Sequence, residues 1–110
     1  MISSALALML LAAPSPEAVA RARNDFNRCI TAHMKKSLEA KAEETTFTTE
    51  LPSVCGAKEA AFRSTVVSVD TAAGIKRADA EEGANFEIED MLTNAKELFR
   101  DYKASNSSPP

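Results

Sequence analysis

The chain has 110 residues, 45% of them hydrophobic, with five Phe, one Tyr and no Trp. Sixteen acidic against thirteen basic residues leave a formal charge of −3. That length fits one domain, and the acidic balance lacks both the cationic footprint of a nucleic-acid binder and the polybasic face of a membrane-surface helix.

The N-terminal stretch reads as a targeting segment. Ala5 to Ala13 form an apolar run as long as a signal-peptide core and well short of the ~20 apolar residues that cross a membrane. Pro14 and Pro16 end the run. Ala18-Val19-Ala20 then places small residues before Arg21, which predicts cleavage after Ala20. No Lys or Arg precedes the core, and a cut after Ala13 would leave Pro14 as the first mature residue. Ser15-Pro16-Glu17 reads independently as a helix start: a capping hydroxyl, a proline at the first helical position and a carboxylate at the positive end of the dipole. No cysteine follows closely enough for a lipoprotein. The expected organisation is a signal peptide over 1–20, a helical domain over 21–104 and a disordered tail over 105–110.

Three helices are predicted. The first runs from Pro16 or Arg21 to about Glu44. Its stripe is Val19, Ala22, Phe26, Cys29, Ile30, His33 and Met34, in steps of three and four. Thr45 to Ser53 holds four threonines and Pro52, so a linker is expected there. It is expected to hold one short helical turn around Phe47 and Leu51, which close over one end of the core. The second helix runs from about Val54 to Ala73, with Ser53 as its cap and Gly74 as its stop. Val66 to Val69 also has strand character, but no partner segment is available. The third runs from about Ile75 to Lys103, with Ala84, Ile88, Met91, Ala95, Leu98 and Tyr102 at helical spacing. Gly83 interrupts it, as a bend or a close helix contact. The fold expected is an all-α, small antiparallel three-helix bundle with one disulfide.

The chemistry-bearing residues are few. Cys29 and Cys55 are the only cysteines, and an even count in an exported chain predicts a bridge. Their separation of 26 positions is unlike the close Cys-x-x-Cys spacing of redox-active pairs. His33 follows Cys29 by four residues, a spacing that would allow a shared metal, but oxidation of Cys29 removes its thiolate. There is no nucleophile elbow, calcium loop or cofactor motif, so no cofactor is expected and the chain reads as non-enzymatic.

The charges are segregated. Arg21, Arg23, Arg28, Lys35 and Lys36 lie early. Asp79, Glu81, Glu82, Glu87, Glu89 and Asp90 form a block containing no Lys or Arg. The plain reading is solvated helix faces attracting one another within the fold. The sharper reading makes Asp79, Glu82, Glu87, Glu89 and Asp90 an interaction face, either for a basic periplasmic or envelope protein or, as the alternative, for weakly held divalent cations or a small ligand.

With the signal, the Phe26-Asn27-Arg28-Cys29-Ile30 segment, the Cys55 to Arg63 segment and the acidic third helix, the chain resembles small exported two-cysteine helical proteins of Gram-negative bacteria. That resemblance implies a periplasmic or secreted setting and a disulfide, and it supplies no catalytic residues.

Overall fold

The computed structural model describes residues 14–110, and these form four helices with no strand among them. The apolar core of the expected signal, Ala5 to Ala13, lies outside the described residues. In order the helices are α1 (Pro16–Glu39), α2 (Glu44–Val54), α3 (Gly56–Ala72) and α4 (Arg77–Ala104).

Helix α1 begins where Ser15-Pro16-Glu17 placed it. The Ser15 hydroxyl accepts a hydrogen bond from the Ala18 backbone N–H at 3.2 Å, satisfying one of the orphan donors of the first turn. The helix runs unbroken through Ala20 and Arg21, so the expected cleavage position falls inside it.

Helices α1, α3 and α4 all end in the same hydrogen-bonded motif. At the end of α1, Ala42 N–H donates to the Ser37 carbonyl at 2.9 Å and Lys41 N–H to Leu38 at 3.0 Å. The same pair of bonds joins Ile75 to Asp70 and Gly74 to Thr71, and again Ser107 to Tyr102 and Asn106 to Lys103. Each motif needs one residue in the left-handed region: Lys41 (φ 55°), Gly74 (φ 93°) and Asn106 (φ 53°). Glycine supplies that conformation without strain and asparagine tolerates it, whereas lysine adopts it against a steric penalty. Helix α1 therefore stops at Glu39, five residues short of the expected Glu44. Ser105 to Ser107, expected to begin the tail, serve as the cap of α4.

The expected three-helix count is corrected to four, because Thr45 to Ser53 is helical within α2. Two side chains outweigh the β-branched residues. Phe47 and Leu51, four apart and so on one face, are 0% and 3% exposed. The Thr48 hydroxyl bonds back to the Glu44 and Thr45 carbonyls at 3.0 and 3.1 Å. Pro52 sits in the last turn, where its missing N–H costs one bond and nothing downstream depends on it. Ser53 accordingly lies inside α2, and Cys55 is the joint at which α2 ends and α3 begins.

Helices α1 and α4 run parallel, and α3 runs antiparallel to both. Cys29 pairs with Cys55, and Phe26 packs on Phe62 at 6.3 Å between ring centres. Arg23 reaches Glu87 on α4, and Arg63 of α3 reaches Asn85. Val66 and Val67 are buried within α3, which settles their strand character in favour of helix. At the other end α2 closes the core, as Phe47 stacks on Phe99 of α4 at 4.5 Å and on His33 of α1 at 5.3 Å. The Glu44 carboxylate receives Arg100 through two hydrogen bonds of 2.8 and 3.0 Å. Those bonds hold its carboxyl below the usual glutamate range, and both groups are solvated, so the pair orients α2 more than it stabilises it.

Gly83 is exposed, and a Cβ added there would meet nothing within 4 Å. It is thus not a close helix contact, and its backbone freedom is a net loss in mid-helix. Gly83→Ala is expected to raise stability by about 1 kcal/mol and the melting temperature by roughly 4–8 °C, read by thermal circular dichroism.

Candidate protein-docking surface

A helix turns through about 100° per residue, and the buried residues of α4 fix which side meets the core. Ala80, Ala84, Ile88, Ala95 and Phe99 are buried. The opposite side is centred on Phe86. Asp79, Glu82, Glu89 and Asp90 surround it at steps of three, four and seven, the spacings that bring helical side chains together. All five are exposed. Four of the five phenylalanines, Phe26, Phe47, Phe62 and Phe99, are 0% exposed, whereas Phe86 is 67% exposed.

Glu87, expected on the same face, is placed elsewhere. It lies half-buried on the flank toward α1, where the Arg23 guanidinium donates to its Oε1 from Nε at 2.9 Å and from Nη2 at 2.5 Å. Arg23 also lies over the Phe62 ring, 5.4 Å from its centre. This one pair realises the internal attraction expected between early cations and late carboxylates. No ion pair within 4 Å is formed by Asp79, Glu82, Glu89 or Asp90 among the described residues. They line no convergent cage either, since no group of three or more His, Cys, Asp or Glu among the described residues is arranged to hold a metal ion. The cation alternative therefore lacks a coordinating geometry.

Sequence reasoning missed Phe86. The signal was present: Phe86 falls two residues before Ile88, out of phase with the stripe Ala84, Ile88, Met91 and Ala95. An aromatic that breaks a helical stripe points away from the core.

The remaining chemistry-bearing groups lie apart from this face. Cys29 and Cys55 are bonded, with Cα atoms 5.8 Å apart. Cys29 therefore offers no thiolate to His33, which is 7% exposed, stacks on Phe47 and leaves Nε2 without a hydrogen-bond partner. A shallow groove of about 490 Å³ beside it is lined by Cys29, His33, Lys36, Ser37 and Glu50 among others. No described helix is long and apolar enough to cross a membrane. No protein-family model, curated protein or solved structure matches the chain.

Proposed function

We propose that this is a small exported protein, periplasmic or secreted, that works without catalysis by binding another protein through the solvent face of α4. One observation carries the reading: Phe86 stands in water inside a ring of carboxylates that form no ion pair among the described residues. An exposed aromatic is the residue type that anchors protein interfaces once desolvated. The carboxylates supply a polar rim that keeps the face soluble, steers a basic partner and makes the association salt-sensitive. The disulfide supports the exported setting, because such a bond persists in oxidising compartments.

The test is photo-crosslinking in the producing cell. p-Benzoylphenylalanine at position 86 should give a discrete protein adduct, and the same probe at exposed Ser64 on α3 should not. Charge reversal of Glu82 and Glu89 to Lys should abolish the adduct and leave the melting temperature within a degree or two, since both side chains are exposed and form no ion pair among the described residues. Equal crosslinking at both positions, or none at 86, would show that this face is not a binding surface.

A further inference from the structure

We infer that the partner seated on the acidic face of α4 is the basic face of α1 from a second copy of this chain, a proposal that rests on the docking reading above. Arg21, Arg28 and Lys35 recur every seven residues and so form one row about 21 Å long. Phe26, Ile30, Met34 and Ser37 are buried on the other side of α1, so this row faces away from the core. None of the three cations forms an ion pair within 4 Å among the described residues. Asp25 is the only acidic residue between Arg21 and Lys35. Between Arg28 and Lys35 the surface dips into a shallow hollow lined by Asn24, Asn27, Arg28, Thr31, Ala32 and Lys35.

The two faces match in spacing as well as in sign. Take two helices side by side and antiparallel, with Phe86 over Ala32 in the hollow. Equal rise per residue then sets Asp90 opposite Arg28, Glu82 opposite Lys36 and beside Lys35, and Glu97 opposite Arg21. Phe86 lies between two cationic side chains, where an aromatic face is attracted to both. The like-charge oppositions, Asp79 with Glu39 and Asp101 with Glu17, fall at the two ends of α1. Within one molecule these faces cannot meet, since α1 and α4 pack side by side on a shared core and turn them outward. Between molecules they can. Because the patches differ, the contact is heterologous, and each occupied molecule still offers one free face. A single helix-on-helix contact buries little area, so the association belongs to the weak class.

Analytical ultracentrifugation of the oxidised protein tests this. At low ionic strength and high concentration the weight-average mass should climb past twice the monomer, and salt should reverse the climb. Two variants block one face each without reversing its charge: Glu82→Gln with Phe86→Ser and Asp90→Asn, and Arg28→Gln with Lys35→Gln. Each alone should remain monomeric. Their mixture keeps one matched pairing, between the two intact faces, and should give a one-to-one dimer that grows no further. A wild-type protein that stays monomeric at its solubility limit in low salt overturns the proposal, and this reading does not depend on either variant folding. So does a mixture that forms no dimer although both variants keep the wild-type melting temperature. If position 86 crosslinks in the cell to a protein of another mass while the purified chain is monomeric, the docking reading stands and self-association falls. An adduct of twice the chain mass supports both.

Discussion

Phe47→Ala is expected to remove about 3–5 kcal/mol, the range for truncating a fully buried phenylalanine. The side chain is 0% exposed and is stacked between Phe99 and His33, so the substitution takes away apolar burial and two aromatic contacts together. One local feature moves the expectation toward the lower bound. The cavity would open beside His33, whose Nε2 is buried without a partner, and water entering there would hydrogen-bond that nitrogen. A domain this small has a total stability at the lower end of about 5–15 kcal/mol, so the variant should be near its unfolding threshold. Urea titration measures the loss, with Thr46→Ala as the control on an exposed position of the same helix, expected within about 0.5 kcal/mol. A loss under about 1 kcal/mol would mean that α2 is a linker draped over the core and not part of it.

That contrast marks how far the sequence was readable. The long helices α1, α3 and α4 were legible because their apolar stripes persist over many turns, and because Ser15, Pro16 and Gly74 are residues with a local mechanism. Helix α2 was legible only in part: Phe47 and Leu51 close one end of the core as expected, but the length of the helix was not legible, for the opposite reason. It is 11 residues long, carries poor helix formers, and is held by two side chains whose partners lie on α1 and α4. Nothing within 45–53 states that Phe47 will meet Phe99. The end of α1 was misplaced because Lys41 adopts a conformation for which lysine carries no signal. For the candidate face, the acidic residues were visible as a block. The block did not say which members point outward, and the pairing of Glu87 with Arg23 depends on the way α1 and α4 pack. The phase of Phe86 against Ile88 would have fixed the centre of the face from sequence alone.

Reduction of the Cys29–Cys55 bond is expected to destabilise the domain by about 3.5 kcal/mol, the chain-entropy value for a loop of roughly 27 residues, and to lower the melting temperature by roughly 15 °C or more. The position of the bond supports the upper part of that range. Cys55 is 1% exposed and is the joint between α2 and α3, where its N–H donates to Leu51 and its carbonyl accepts from Glu59. The crosslink thus pins to α1 the one point that carries both the last turn of α2 and the first turn of α3. Without it, α2 is held by Phe47, Leu51 and solvated ion pairs, and it should be the first element to open. Free-thiol titration of the unfolded, unreduced protein should find none, and a Cys29→Ala, Cys55→Ala variant should melt like the reduced protein. A shift of only a degree or two would deny the bond its structural role. The two largest losses also share a target, since both act by releasing α2. Once reduction has loosened that helix, Phe47 has less native packing left to lose, so Phe47→Ala in reduced protein should cost less than in oxidised protein. Strict additivity would instead mean that the disulfide constrains only the unfolded chain and leaves the anchoring of α2 untouched.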